Sequence, residues 1–184
     1  MKWMIASDIH GSAVYCEQLL QRFEAERADR LLLLGDLLYH GPRNDLPDGY
    51  APKTVISQLN EVKSRLLCIR GNCDAEVDQM VLQFPILADY AILPLGKRLL
   101  YASHGHLFHP QHLPPLCEGD LFLFGHTHIP SCEQVGGILC LNPGSVSLPK
   151  AGSERSYLTL TADQFDFHRL EDGSVFRTVS AQAL

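Results

Sequence analysis

The sequence predicts a layered α/β sandwich, two packed sheets with helices outside, and three features predict it. Five short runs, 4–7, 31–34, 66–70, 99–103 and 121–124, are almost continuously apolar and bounded by glycine or polar residues, as strands buried on both faces are. Helical periodicity fills the first gaps between them. From about residue 130 the chain breaks into short alternating runs separated by turn residues, the pattern of antiparallel hairpins. A βαβ opening followed by antiparallel strands calls for two stacked sheets.

The first strand, 4–7, runs into Asp8. Over 12–30, Val14, Leu19, Leu20 and Phe23 recur at helical spacing, with Ser12 as N-cap and Glu17 early in the helix. Strand 31–34 stops at Gly35 and Asp36. The stretch 39–52 is the richest in turn residues and is expected to rim a pocket. Val55, Ile56, Leu59 and Val62 form the apolar stripe of an amphipathic helix over 52–62, which leads into strand 66–70. After strands 99–103 and 121–124 come the runs 133–135, 138–141, 157–161, 165–169 and 175–179, split by Gly136-Gly137, Asp163 and Asp172-Gly173.

With 184 residues, 46% of them hydrophobic, and no repeat, low-complexity tract or linker, the chain is expected to form one domain over 1–184. Fifteen Lys and Arg against 21 Asp and Glu give a net charge of −6, which argues against an extended nucleic-acid surface. No stretch approaches the roughly 20 apolar residues of a membrane span. The apolar run 3–6 is also shorter than the core of a signal peptide, so a cytoplasmic protein is expected. The six cysteines form no C-x-x-C pair and read as small apolar residues.

The histidines are different. Five of the nine fall into Asp8-Ile9-His10, His104-Gly105-His106 and His126-Thr127-His128. Each apolar run ends in a candidate ligand: Asp8 and His10, Asp36, Asn72, His104, then His126 and His128. Carboxyl ends of strands open onto the crevice where ligands bind, so residues far apart in sequence meet there. Residues two apart on extended chain point the same way, so Asp8 with His10, and His126 with His128, are each expected to address one small volume. Seven carboxylate, imidazole and amide groups exceed the three or four protein ligands of one open catalytic metal, so two divalent metals are the economical reading. An Asp carboxylate can bridge such a pair, and a water held between the metals becomes a hydroxide placed for in-line attack on phosphorus. Glycines 35, 71 and 125 beside the ligands permit sharp turns and close backbone approach.

The ordered motifs DIH, GD, GNCD, HGH and GHTH, with HGPRN at 40–44 and NPGS at 142–145, resemble those of the calcineurin-like metallophosphoesterases, close to the small bacterial YfcE-type phosphodiesterase subgroup. The resemblance spans nearly the whole chain. It implies a four-layer αββα sandwich of two mixed sheets flanked by helices. It also implies one metal on Asp8, His10 and His128, another on Asn72, His104 and His126, and Asp36 shared with the bridging hydroxide. Manganese is the metal expected, with zinc, iron, cobalt or nickel admitted by the mixed donors. A small phosphodiester is the expected substrate, and a homo-oligomer is open.

One departure stands out. Where many relatives carry Asn-His-Glu or Asn-His-Asp, this chain has Asn72-Cys73-Asp74. A thiol is a weak hydrogen-bond donor, which tells against easy monoester hydrolysis. Cys73 is read as a filler or a substrate contact. His40 and Arg43, in the turn-rich loop, are candidates to meet the substrate. His106 is a candidate for the phosphate or a support behind His104, Asp74 orients His104 or caps the next helix, and 142–145 shapes a turn near the site. His109, His112 and His168 receive no role. The alternatives are a non-catalytic protein-binding scaffold, the use a similar retromer subunit makes of this fold, and a phosphomonoesterase or nuclease of the same superfamily.

Overall fold

A computed structural model describes residues 1–162 and 164–181. Its elements are, in order, β1 (Trp3–Ala6), α1 (Ala13–Ala25), β2 (Arg30–Leu33), α2 (Pro52–Glu61), β3 (Leu66–Cys68), α3 (Glu76–Gln79), β4 (Tyr90–Leu95), β5 (Arg98–Ser103) and β6 (Leu121–Leu123). Then follow β7 (Ser131–Val135), β8 (Ile138–Asn142), β9 (Ser156–Leu160), β10 (Gln164–Arg169) and β11 (Val175–Ser180). Asp163, expected in the turn before β10, lies outside the described residues.

The strands form two mixed sheets, ordered β11-β10-β9-β1-β2-β3 and β4-β5-β6-β8-β7. In the first, β1, β2 and β3 run parallel and β9 lies antiparallel to β1. In the second, β5, β6 and β8 are parallel, flanked by antiparallel β4 and β7. Side chains alternate across each strand, and the alternation sorts the core. Ile5, Leu32, Leu100, Ala102, Leu121, Leu123, Leu158 and Phe165 meet between the sheets, while Met4, Ala6, Leu31 and Leu33 face α1 and α2. On the far side Tyr101, Phe122, Phe124, Ile138 and Cys140 are covered by Phe108, Leu113 and Leu116. The fold is therefore the four-layer α/β sandwich, its outermost cover built by the turn-rich segment 104–120, with no helix there among the described residues.

Local chemistry explains the helices. Ser12 Oγ accepts from the Tyr15 N–H at the start of α1, and the helix stops at Ala25, short of the expected residue 30. Its buried face is Cys16, Leu19 and Phe23, whereas Val14, expected in the stripe, is 45% exposed. Five residues separate 14 from 19, about 500° of helical turn, which puts them on different faces. In α2, Pro52 opens the first turn, where its missing N–H costs nothing, and Val55 and Leu59 are buried. β4 has no counterpart among the expected strands. Pro94 interrupts it and apolar residues occupy both of its faces, features an edge strand tolerates. No helix among the described residues is long and apolar enough to cross a membrane.

Candidate active site

The parallel strands end in loops whose backbone is unusual. Asp8, His10, Asp36, His126 and His128 have φ between 50° and 66°, a region non-glycine residues enter at a cost of about 1–3 kcal/mol each. Surrounding bonds hold them there. Asp8 N–H donates to the Gly35 carbonyl at 3.1 Å and His10 N–H to that of Asp36 at 2.9 Å, lacing the β1 and β2 loops together. The Asp74 carboxylate, 3% exposed, accepts from the N–H groups of Asp36 (2.8 Å), Leu37 (2.9 Å) and Gly71 (2.7 Å). It thus neither orients His104 nor caps α3 but ties the β2 and β3 loops to each other. Burial holds the Asp74 carboxyl above the ordinary range, although the backbone donors oppose this. A Cβ on Gly35 would lie 2.3 Å from Gly71 N, so only glycine fits this crossing. The 142–147 turn does the same for the other loops. Ser145 and Ser147 hydroxyls donate to the Asp8 carbonyl at 2.9 and 3.0 Å, and Asn142 Nδ2 to that of Gly125 at 2.8 Å.

Left-handed backbone also replaces the extended chain expected between the paired ligands. Asp8 and His10 still converge, with Asp8 Oδ1 3.5 Å from His10 Nε2. His126 and His128 diverge: His128 lies against His10 (ring centroids 5.0 Å), His126 against His104 (5.2 Å).

The imidazole tautomers follow from their outer contacts, because a carbonyl can only accept. His10 Nδ1–H donates to Tyr39 (2.7 Å), His104 Nδ1–H to Leu34 (2.6 Å) and His128 Nδ1–H to Leu148 (2.7 Å). Each therefore presents Nε2 inward, the arrangement that typifies metal-binding histidine. His10 and His128 bring these atoms within 3.2 Å of each other, and Asp8 Oδ1 lies 3.3 Å from His128. Asp8 Oδ1 is buried without a hydrogen-bond partner. Beside this group, His104 Nε2 lies 3.1 Å from Asn72 Oδ1 and 3.4 Å from Asp36 Oδ2, and Asp36 Oδ2 is 3.7 Å from His10 Nε2. With the imidazoles neutral, nitrogen and oxygen lone pairs converge here, a donor set that divalent cations fit. Asp8, His10 and His128 form one such cluster, and Asp8, Asp36 and His104 another.

The field agrees. Burial alone would raise the Asp8 carboxyl, yet His10, His128 and His104 hold it well below the usual range. Burial opposes charge on His104, but Asp36 and Asp8 overcome it and push the imidazole up to about 9. A site that draws protons onto imidazole this strongly draws any cation that competes for the same lone pairs. His126, half-buried and beside His104, is pushed down to about 4.

A cavity of about 420 Å³ opens over the cluster, lined by His10, Asp36, Asn72, Cys73, His126 and His128 together with Arg43, Asn44, Thr127 and Lys150. Two cationic side chains thus face the carboxylates and imidazoles. Cys73 accompanies them, its N–H donating to Asp36 Oδ1 at 2.8 Å and its thiol pushed up to about 12 by burial and Asp36.

Residues 1–164 match the calcineurin-like phosphoesterase superfamily domain. The chain belongs to that superfamily. It is 49% identical to Phosphodiesterase YfcE of Escherichia coli over 180 residues, 98% of each chain. The solved structure of YfcE, described as a phosphoesterase, superposes with a TM-score of 0.95 over 98% of this chain and 100% of that one. A solved archaeal phosphodiesterase at 20% identity, TM-score 0.64, covering 98% of this chain and 99% of its own, shares the fold.

Within this phosphoesterase, all seven residues read as ligands gather at one crevice. The substrate candidates divide: Arg43 and Cys73 line the cavity, His40 and His106 do not. The His40 ring packs edge-on against Tyr39 and Tyr50 at 4.8 and 5.4 Å. His106 lies behind His104 (ring centroids 5.4 Å) and lines a separate cavity with His126. Lys150 was not legible as a site residue. A single exposed lysine carries no pattern, and it reaches the cavity because its N–H donates to the His128 carbonyl at 3.2 Å.

Proposed function

We propose that this chain is a metal-dependent phosphoric diester hydrolase for a small phosphodiester, working as one domain over 1–184 with two divalent cations. The observation that carries this reading is the set of buried, carbonyl-anchored imidazoles whose Nε2 atoms converge with carboxylate and amide oxygens and with one another. In this reading Asp8, His10 and His128 hold one cation, Asn72, His104 and His126 the other, and Asp36 serves both. When bound, the cations supply the Lewis acidity that activates water and neutralises charge on the phosphate. Manganese is the ion assigned, and zinc, iron, cobalt and nickel compete for mixed donors of this kind.

The chain's own part is positional. Asp74 and the 142–147 turn fix the strained loops, so the ligands arrive preorganised. Arg43 and Lys150 orient the phosphate from the cavity rim. Cys73 offers the leaving oxygen only a weak donor, so diesters and good leaving groups are favoured over monoester dianions. The name of the E. coli relative supports the same substrate class. Six cysteines without a disulfide support a reducing, cytoplasmic setting.

The test compares kcat/KM for bis-p-nitrophenyl phosphate and p-nitrophenyl phosphate with added Mn²⁺. The diester is expected to win. A preference for the monoester would assign a phosphomonoesterase, and no metal-dependent turnover of either would assign the protein-binding scaffold.

A further inference from the structure

A second cavity, of about 460 Å³, adjoins the first and differs from it in chemistry. Its walls are Tyr39, Tyr50, Ile56, Val77 and Val81, and its one charged lining residue is Asp78. Several of these are exposed to an extent unusual for such side chains: Tyr39 43%, Val77 65% and Val81 44%, with Met80 beside them at 84%. A contiguous exposed apolar patch marks a binding surface more often than chance. The two cavities share a wall. Cys73 lines both, and the 38–44 segment separates them, with Leu38 and Tyr39 facing the apolar cavity and Gly41 to Asn44 the polar one. Gly41 lies against the thiol, since a Cβ there would sit 3.2 Å from Cys73 Sγ.

We propose that this groove seats one ester group of the phosphodiester and selects a flat, uncharged ring. The inference rests on the phosphodiesterase reading above. Three features commit the groove to that occupant. It lies on the other side of Cys73 from the phosphate cavity, so an ester group on a phosphate held there has only that one side chain to reach over. Tyr39 and Tyr50 offer aromatic walls, and such faces favour rings by edge-to-face or offset contact. The lone carboxylate, Asp78, disfavours an anionic group. A ligand site of this kind, apolar with a few polar groups at one end, has the usual anatomy of a small-molecule pocket.

The test uses the metal-loaded protein and two non-hydrolysable diester analogues that differ only in the ring, benzyl(ethyl)phosphinate and diethylphosphinate, with binding measured by calorimetry. The benzyl analogue is expected to bind about tenfold more tightly, the scale of one largely buried ring. Val77→Asn and Val81→Asn, neutral changes at exposed positions, are expected to bring that ratio to within about threefold of unity, since each removes apolar wall. Metal content and thermal melting of each variant are recorded alongside. Equal affinity of the two ligands in the unaltered protein, or a ratio unmoved in both variants, overturns the groove alone. Failure of both ligands to bind the metal-loaded protein overturns the phosphodiesterase reading and the groove with it. A ratio unmoved while the variants change association state in sedimentation assigns the groove to a second copy of the chain and likewise overturns the proposal.

Discussion

Asp36 lies between the two groups of histidines, its carboxylate 3.7 Å from His10 and 3.4 Å from His104, the placement the proposed bridging role requires. Asp36→Asn keeps the shape but removes the charge. Bound metal and turnover of bis-p-nitrophenyl phosphate should fall together, turnover by about 10²–10³-fold, the range for losing one preorganised electrostatic partner. Two metals per chain with near-normal hydrolysis would refute the bridging role. Cys73 lies next to Asp36 and lines the cavity. Cys73→His should raise monoesterase relative to diesterase kcat/KM, by less than the roughly 10²–10⁴ of an optimally placed acid. An unchanged or lower ratio at full metal content would move substrate choice to the 40–44 loop. The residues that gather at the crevice were legible in the sequence because each follows an apolar run and most flank a glycine. Lys150 and Asp74 were not, since one works through its place in the fold and the other through backbone N–H groups that no side-chain pattern records.

The loops around the site are tied to one another by polar clamps. Asp74→Ala would leave three buried N–H groups, on Asp36, Leu37 and Gly71, without their acceptor. A loss of about 2–4 kcal/mol in urea unfolding is expected, together with weaker metal retention. A loss below about 1 kcal/mol would mean that water or neighbouring groups replace the clamp. The strands and helices that carry these clamps were readable wherever a short run was continuously apolar, as in β1 and β2, or a helix had one apolar stripe, as in α2. Val14 and β4 escaped for local reasons. Val14 is apolar but turned to solvent, and β4 has apolar residues on both faces with a proline among them. The left-handed turns at the strand ends were also hidden, because Asp and His, although enriched at positive φ, adopt it at only a minority of positions, so neither type marks one.

At the scale of the whole molecule, the sandwich brings the carboxyl ends of parallel strands from both sheets to one crevice, which is how residues from 8 to 128 meet. It also buries Asp8 and Asp36 in a chain of net charge −6, leaving their charge to be balanced inside the site. Protonated imidazoles can do this only in part, since His10 and His128 face each other through the same type of nitrogen. In the proposed reading divalent cations complete the balance, and their number is its central claim. The direct measurement is the Mn²⁺ stoichiometry of the purified chain after equilibrium dialysis, made alongside His128→Ala and His104→Ala. The account predicts two ions per unaltered chain and one in each variant. Fewer than two in the unaltered chain, or two retained in both variants, would contradict it.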